Sequence, residues 1–560
     1  MMLELLSRDC SGRISKLTLG DRNIVLPELA VVINPGKMII TPAELKKEFG
    51  AKLIITNAYL IKRSRLMEDI SKRGLHDFLN FDGMIMTDSG AYQTMFGSSI
   101  NLTNKEIIEF QEKIKPDIGT FLDVTSGDLK YDDAKKTVLE TIKRAKECKL
   151  LTENSKISWM APIQGGEHLD LVKKCAKSVG KLDFDAYAIG SIVPKMIRYD
   201  FKTVCQQIIT AKMNIPSNKP LHAFGLGLPS FMSLAVAIGS DIFDSAAYAL
   251  YAYDNRYMTN YGTHRLEELI ELPCSCPICT KYTVKELIEL ENSAKVKELA
   301  RHNLYVTFAE LRSIRQAIRD NSLWELVQQR ARAHPALLEA LQFVLKKYRK
   351  YLLGNEPISK KSALRWCGEE SKYRPEVLRA KKMVKGVKSK KYFVKKPFGK
   401  VPIELKGVYP FGQSIVPDQV EPIGKASNSD IVNKTIEYQF SSKFKTSFST
   451  EVSRKTGRIR RVWKNKKLLG TIRPHDGFFI PTLEGSKYIK MKTVEVPSEI
   501  LEHVKSGRSL FTKFVERTDD IYPGEEVLIV SDSKPIITGM ALLNKKEIKD
   551  FKKGVAVKLR

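Results

Sequence analysis

Eight short apolar runs, separated by segments of helical period, constrain the fold of this chain more than any other feature. Apolar runs of this kind are typical of strands in a parallel sheet, because the βα crossovers cover both of its faces with helices. Eight such strands alternating with helices favour a closed (β/α)8 TIM barrel over an open sheet. The predicted strands are 29–33, 53–56, 83–87, 118–123, 157–163, 186–189, 221–225 and 242–244, and the clearest helices are 104–115 and 132–151.

Three cysteines and one histidine follow the last predicted strand in a pattern typical of a structural zinc site. Cys274, Cys276 and Cys279 fall within six positions, and His302 follows after 22 more residues. Three thiolates and one imidazole make a closed tetrahedral set for Zn²⁺. The alternative is a proline-rich turn of small residues that happens to carry thiols. We predict one structural Zn²⁺ per chain, bound in a subdomain inserted in the barrel domain.

The length and charge of the chain indicate several domains and a polyanionic partner. At 560 residues the chain is too long for a single core, and its 43% of hydrophobic residues indicates a globular protein. The net charge of +29 favours nucleic acid as the partner. The other cysteines are scattered, which predicts a reducing compartment, and no apolar run is long enough to span a bilayer. We therefore expect a cytoplasmic protein without a membrane partner.

Shifts in composition divide the chain into a large barrel domain and three smaller regions. Helical sequence continues after the zinc cluster to about residue 353 and ends at a Gly-Asn-Glu-Pro turn. Beyond that turn the sequence is first rich in lysine and then rich in β-forming residues. The predicted domains are a catalytic TIM barrel at 1–355 with the zinc site at 274–302, a basic α+β domain at 356–425, an α+β domain at 426–488 and a β-rich module at 489–560.

Two basic clusters lie in the smaller regions. Residues 379–400 contain ten Lys and Arg, no acidic residue and three aromatic side chains, and residues 458–467 surround Trp463. A solvated face is the alternative for any lysine-rich segment, but interleaved aromatic residues favour phosphate binding with a strongly salt-dependent affinity. In the β-rich module we predict strands at 510–515 and 526–530.

Polar residues follow several of the predicted barrel strands, at the edge where a parallel barrel places its active site. Each of these residues alone has an explanation as a helix cap or turn residue, but five positions at one edge indicate a shared purpose. Asp and Gln together can read the polar edge of a purine, a glycine allows backbone N–H groups to approach a flat ligand, and a nearby tyrosine can stack on the base. In chain order the five positions are Asp88, Asp123, Gln164, Gly190-Ser191 and Asp244, and the tyrosine is Tyr92, one helical turn beyond Asp88.

Paired carboxylates suit the cleavage of a glycosidic bond. With part of this set occupied in reading the base, Asp244 and one other carboxylate remain to act on an acetal carbon, one by attacking it and the other by moving protons. The residues therefore predict base-specific cleavage of an N-glycosidic bond within a nucleic acid. The base reaches such a pocket only when it is flipped out of its stack.

Five segments of the sequence resemble the tRNA-guanine transglycosylase family, and specifically its archaeal branch, which forms archaeosine. The resemblance covers essentially the whole chain, and the C-terminal region is similar to a PUA module, an RNA-binding β-barrel. The matching segments are MTDSGAYQ at 86–93, EIIEFQEKI at 106–114, DIGTFLD at 117–123, FDSAAYALYA at 243–252 and PCSCPIC at 273–279.

The resemblance implies an enzyme that exchanges the guanine at position 15 of the tRNA D-arm for 7-cyano-7-deazaguanine (preQ0), the first tRNA step of archaeosine biosynthesis. Asp244 would attack the ribose and hold the tRNA in a covalent Asp–ribose intermediate, and Asp88 would handle the proton. The sequence leaves open which of these two carboxylates has which role. A homodimer is also implied. The resemblance further assigns base binding to Asp123, Gln164, Gly190, Ser191 and Tyr92, and zinc binding to Cys274, Cys276, Cys279 and His302.

The sequence departs from the family pattern at two positions. Tyr92 stands where phenylalanine is common, and either ring stacks on a base. Ser191 stands where a second glycine is common, and if that position needs a positive φ, we expect a lower affinity for the base.

Two alternative functions remain. A tRNA-binding paralogue that amidates the preQ0 nucleotide is expected to lack the two aspartates, and a sugar hydrolase explains neither the positive charge nor the cysteines.

Overall fold

The computed structural model describes residues 1–91, 102–417, 424–507 and 509–560. By their contacts these residues form two compact units. Within the described part of the chain, no helix is long and apolar enough to cross a membrane. The first unit comprises Met1–Ser7, Gly12–Ile318 and Leu326–Leu341, and the second comprises Arg8–Ser11, Arg319–Glu325 and Gln342–Arg560.

The strands and helices are numbered in chain order. The strands are β1 (Met2–Asp9), β2 (Gly12–Leu19), β3 (Arg22–Leu26), β4 (Glu28–Val32), β5 (Leu53–Asn57), β6 (Met84–Asp88), β7 (Ile118–Thr120), β8 (Ser158–Ile163), β9 (Ala186–Ile189), β10 (Leu221–Ala223), β11 (Ile242–Ser245), β12 (Arg256–Met258), β13 (Thr263–Arg265), β14 (Leu364–Arg365), β15 (Tyr392–Lys395), β16 (Gly399–Pro402), β17 (Ser414–Ile415), β18 (Ser449–Val452), β19 (Ile459–Lys464), β20 (Lys467–Ile472), β21 (Phe479–Pro481), β22 (Thr493–Glu495), β23 (Leu510–Phe511), β24 (Arg517–Thr518), β25 (Glu526–Ser531), β26 (Lys534–Ala541) and β27 (Val555–Leu559). The α-helices are α1 (Pro42–Phe49), α2 (Ala58–Lys62), α3 (Met67–Arg73), α4 (Leu75–Leu79), α5 (Asn104–Ile114), α6 (Tyr131–Leu151), α7 (Leu169–Gly180), α8 (Val193–Ile197), α9 (Phe201–Asn214), α10 (Pro229–Ala237), α11 (Ala247–Tyr253), α12 (Pro277–Lys281), α13 (Val284–Glu289), α14 (Asn292–Asp320), α15 (Leu323–Ala331), α16 (Pro335–Lys347), α17 (Arg349–Asn355), α18 (Pro375–Val384), α19 (Asn428–Phe440), α20 (Leu483–Ser486), α21 (Leu501–Lys505) and α22 (Lys545–Asp550).

Strands β4 to β11 form a closed barrel in the first unit, which confirms the predicted TIM-barrel fold. Each strand pairs with the next in parallel, and β11 closes the ring against β4. Register places Asp88 beside Asn57, and both end their strands. The predicted strand 118–123 is wrong in its second half, because β7 ends at Thr120. Phe121 and Leu122 are buried apolar residues of a loop, and because they extend the apolar run beyond Thr120, the sequence pattern predicted a longer strand.

A three-stranded antiparallel sheet, β1–β2–β3, precedes the barrel and was not predicted. Its side chains Leu17 and Ile24 belong to the same apolar core as the barrel residues Leu53, Met84 and Ile242. Each of these three barrel residues is the first of its strand. The sheet therefore covers the amino-terminal end of the barrel, which leaves the opposite, carboxyl-terminal end for the polar residues.

The second unit contains the smaller sheets. Strands β18 to β21 form a four-stranded sheet that shares an apolar core with α19, and β22 to β27 form a six-stranded sheet. The predicted strand 526–530 is confirmed as β25, but 510–515 is wrong beyond Phe511. The pairing with β27 shifts register between Leu510 and Phe511, and the chain then forms a 3₁₀ turn at Thr512–Phe514.

Candidate active site

A cavity of about 720 Å³ lies at the carboxyl-terminal end of the barrel strands, a volume typical of small-molecule sites. Apolar side chains such as Met196, Phe224 and Leu228 form much of its wall. Tyr92, the predicted stacking residue, lies outside the described residues. The other residues predicted for base binding and reaction all line this one cavity: Asp88, Asp123, Gln164, Gly190, Ser191 and Asp244.

Asp88 ends β6 and is held by the turn that follows. The backbone N–H of Gly90 donates to Asp88 Oδ1 at 2.7 Å. Gly90 has a φ of +89°, and a side chain there would place its Cβ 2.4 Å from Tyr59 Cβ, so this close turn requires glycine. Burial raises the pKa of Asp88 to about 7; the Gly90 hydrogen bond opposes this rise, and the negative charges of Asp244 and Asp123 add to it.

Asp244 lies in β11 and is held from the neighbouring strand. His222, which is fully buried in β10, places its Nε2 2.7 Å from Asp244 Oδ1. The backbone N–H of Gly225 donates to the same oxygen at 2.8 Å. Sequence reasoning missed His222. The available signal was an imidazole inside a predicted barrel strand, but its contact with Asp244 depends on the pairing of β10 with β11.

Asp123 and Gln164 form a buried, hydrogen-bonded pair in the cavity wall. Gln164 Nε2 donates to Asp123 Oδ2 at 2.5 Å, and the Ser89 hydroxyl donates to Asp123 Oδ1 at 3.4 Å. Burial raises the pKa of Asp123, and the hydrogen bond from Gln164 opposes this rise. A Cβ at position 190 would lie 2.4 Å from Gln164 Nε2, so a side chain there would displace the amide that bonds Asp123.

Ser191 adopts the left-handed conformation, with a φ of +60°, which favours glycine. Its hydroxyl donates to Gln164 Oε1 at 2.6 Å. Ser191 Oγ itself accepts the backbone N–H groups of Ser126 at 3.1 Å and Gly127 at 3.0 Å. These three hydrogen bonds offset the backbone strain, and they join the loops that follow β7, β8 and β9 at the residues predicted to bind a base.

The predicted metal ligands come together in a separate cluster. Cys276 Sγ lies 3.5 Å from Cys279 Sγ and 3.4 Å from His302 Nδ1, and the ligand atoms of all four residues, including Cys274, lie within 4.8 Å of one another. Ligands about 2.3 Å from a central ion stand about 3.7 Å apart in a tetrahedron. The three cysteines and the histidine therefore fit a tetrahedral metal site.

Neighbouring groups orient the histidine of this cluster. His302 Nε2 donates to the carbonyl of Met258 at 2.9 Å, which leaves the lone pair of Nδ1 directed at the cysteines. Tyr257 stacks on the imidazole with ring centroids 3.7 Å apart, and its hydroxyl contacts Cys279 Sγ at 3.2 Å. Met258 also lines the cavity, so the metal cluster supports part of the cavity wall.

Three family models match parts of the chain. The profile of the family described as Queuine tRNA-ribosyltransferase matches residues 9–336. The patch-forming domain C2 of tRNA-guanine transglycosylase matches 430–495, and the PUA domain matches 492–560.

Curated relatives are similar over their full length. Two proteins named tRNA-guanine(15) transglycosylase, from Thermococcus kodakarensis and Pyrococcus furiosus, are each 41% identical to this chain, with 100% of this chain and 98% of the relative covered. A third protein of that name, from Korarchaeum cryptofilum, is 40% identical, with 96% of this chain and 93% of the relative covered.

Proposed function

Because the chain belongs to the queuine tRNA-ribosyltransferase family, we propose that it is a tRNA-guanine(15) transglycosylase. In this proposal it exchanges guanine 15 in the D-arm of tRNA for preQ0 through a covalent Asp–ribose intermediate, the first tRNA step of archaeosine biosynthesis. The observation that carries the proposal is one cavity with two carboxylates in contrasting surroundings. The pKa of Asp88 is raised to about 7, whereas one carboxylate oxygen of Asp244 accepts hydrogen bonds from two N–H groups, those of His222 and Gly225.

These surroundings support a division of roles that the sequence left open. Asp244 attacks C1′ of the ribose, and the electrons of the C1′–N9 bond pass to the guanine, which takes the proton of Asp88 as it leaves. In the second half of the exchange the N9–H proton of the incoming base returns to Asp88 as N9 attacks C1′. The C1′–O bond to Asp244 then breaks and restores the carboxylate. A proton donor with a pKa near 7 suits this cycle at neutral pH.

Base recognition is assigned to the buried pair and the neighbouring backbone. In the proposal Asp123 accepts hydrogen bonds from the ring N–H and amino group of guanine, and the Gln164 amide and the backbone N–H of Ser191 donate to its carbonyl oxygen. Gly190, whose own N–H donates to the carbonyl of Ile163 at 3.0 Å, leaves room for the base beside them. The hydrogen bond between Gln164 and Asp123 supports this, because it fixes both groups side by side on the cavity wall. Guanine and preQ0 share this polar edge, so one pocket serves both. Stacking by Tyr92 stays a prediction.

Further parts of the proposal concern the metal, the RNA and the assembly. We assign Zn²⁺ to the cluster of three cysteines and His302, where it would stabilise the segment around β12 and take no part in the reaction. The PUA domain and the net charge of +29 support binding of tRNA. A homodimer, a cytoplasmic location and the domain boundaries at 355, 425 and 488 remain part of the proposal.

Exchange of radiolabelled guanine into unmodified tRNA, with and without preQ0, tests the function. We expect incorporation of labelled guanine that preQ0 suppresses. Asp244→Asn should abolish both exchange and the covalent protein–tRNA adduct on denaturing gels, while tRNA affinity stays near that of the wild type. Asp254→Asn is the matched control, because it makes the same change at an exposed residue paired with Arg256 and Arg265. Incorporation of labelled preQ0 by Asp244→Asn would show that Asp244 is not the nucleophile.

A further inference from the structure

His222 contacts only one of the two oxygens of Asp244. Its Nε2 and the backbone N–H of Gly225 both meet Oδ1, at 2.7 and 2.8 Å. Among the described residues no donor reaches Oδ2. Asp244 also lines the cavity. One oxygen of this carboxylate is therefore fixed by the protein, and the other is free to form a bond.

The second nitrogen of His222 decides how the imidazole can act. His222 is fully buried, and its Nδ1 has no hydrogen-bond partner among the described residues. A carboxylate oxygen only accepts, so Nε2 must carry the hydrogen that meets Asp244 Oδ1 at 2.7 Å, and a further hydrogen on Nδ1 would be a buried donor without an acceptor. The Nε2–H tautomer follows, with its single hydrogen donated to Asp244 Oδ1. Phe224, with its ring centroid 4.6 Å from that of His222, packs against the imidazole.

We propose that His222 is a positioning residue that fixes Asp244 by Oδ1 and makes the Asp–ribose ester easy to break. This inference rests on the proposed function. In the first half of the exchange, Oδ2 forms the bond to C1′ while Oδ1 keeps its two donors and becomes the carbonyl oxygen of the ester. In the second half, the C1′–Oδ2 bond breaks and its electron pair restores the carboxylate.

The direction of the effect follows from the charge on Oδ1. An N–H donor binds a carboxylate oxygen more strongly than the carbonyl oxygen of an ester. His222 and Gly225 therefore stabilise Asp244 as the departing carboxylate more than they stabilise the ester intermediate. Without the imidazole donor, the ester should persist longer and turnover should become slower.

Glutamine and methionine at position 222 separate this role from a structural one. The two side chains are nearly isosteric, and only glutamine carries an N–H donor that can take the place of Nε2. For His222→Met we expect kcat for guanine exchange to fall about 10- to 100-fold. Because the adduct then breaks down more slowly than it forms, a larger fraction of the protein should be covalent adduct at steady state, KM for tRNA should fall with kcat, and kcat/KM for tRNA should change little. His222→Gln should restore most of the lost turnover. Equal losses in both variants, or a parallel fall of turnover and adduct, would overturn the inference.

A second measurement, which leaves position 222 unchanged, covers the case in which the His222 variants do not fold. With ¹⁵N-labelled histidine, the ring nitrogen shifts of His222 should report hydrogen on Nε2 and a bare Nδ1, and Asp244→Ala should shift the Nε2 signal. A hydrogen on Nδ1 would refute the inference. Guanine exchange by the wild type is measured first. Its absence would reject the proposed function, whereas normal exchange with an unchanged kcat in His222→Met would reject only the role of His222.

Discussion

The proton on Asp88 gives the sharpest test of the proposed reaction. Burial and the nearby carboxylates raise the pKa of Asp88 from 3.8 to about 7. The folded protein therefore retains this proton between about pH 4 and pH 7, where the unfolded chain has lost it. Because the exchange begins with transfer of that proton to the leaving guanine, kcat/KM for tRNA should fall about tenfold for each pH unit above about 7.

The same pKa difference has a consequence for stability with a definite sign. The folded state binds more protons than the unfolded state, so ionisation of Asp88 destabilises the fold progressively as the pH rises from about 4 to about 7. A pKa difference of this size corresponds to at most about 4 kcal/mol, and because Asp88 is only half-buried we expect about 2 kcal/mol. Asp88→Asn removes the ionisation. It should therefore be more stable than the wild type at pH 8 and lose this advantage near pH 4.

Denaturant unfolding of Asp88→Asn and the wild type between pH 4 and pH 8 measures the difference in stability. The pH profile of kcat/KM for tRNA measures the predicted fall in activity above about pH 7. Asp254→Asn serves as the control, since hydrogen bonds from Arg256 and Arg265 lower the pKa of Asp254. This control should gain no stability as the pH rises. A stability difference for Asp88→Asn that is the same at pH 4 and pH 8, together with a level kcat/KM up to pH 8, would refute the reasoning.

Three further predictions concern the base pocket, the metal cluster and the basic surface. Ser191→Ala loses three hydrogen bonds but keeps the strained backbone, so KM for the incoming base should rise about tenfold with little change in kcat, and Ser191→Gly should lie between it and the wild type. Cys276→Ser should lower the metal content below one ion per chain, by elemental analysis, and lower the melting temperature; full metal content would contradict the assignment. The double variant Arg460→Gln/Lys466→Gln removes two exposed cations near Trp463, so the dependence of log Kd for tRNA on log salt should become less steep by about 1 to 2; an unchanged slope would exclude this surface from RNA contact.

The barrel was predictable because its strands carry their own signal. Strands such as β5 and β9 are buried on both faces, so their sequences are continuous apolar runs of nearly the right length. The sheet β1–β3 gave no such signal, since β1 mixes buried residues with exposed ones such as Met2 and Leu6, and all three strands contain charged side chains. Its burial against Leu53 and Met84 exists only once the barrel has closed.

The meeting of six predicted residues in one cavity could be anticipated from the sequence, but the hydrogen bonds that connect them could not. Asp88 and Asp244 could be identified because polar residues at the ends of apolar strands are unusual. The hydrogen bonds of Ser191 to residues near 126 and 164 join three loops whose ends meet only through the order of the barrel strands. The sequence could not show whether residue 191 needs a positive φ. The structure shows that Ser191 has one, and it shows the hydroxyl hydrogen bonds that offset the strain.

The roles of the two aspartates depend on their neighbours rather than on the residues themselves. Asp88 receives one backbone N–H, from Gly90, and has the negative charges of Asp244 and Asp123 nearby, so its surroundings favour retention of a proton. Asp244 receives two N–H groups on one oxygen, an arrangement suited to a carboxylate that must attack and later depart. Two of the three N–H donors, Gly90 and Gly225, are backbone groups, and every residue other than proline has a backbone N–H, so the sequence does not reveal these two donors. The third donor, His222, is a side chain, but it meets Asp244 only because β10 pairs with β11.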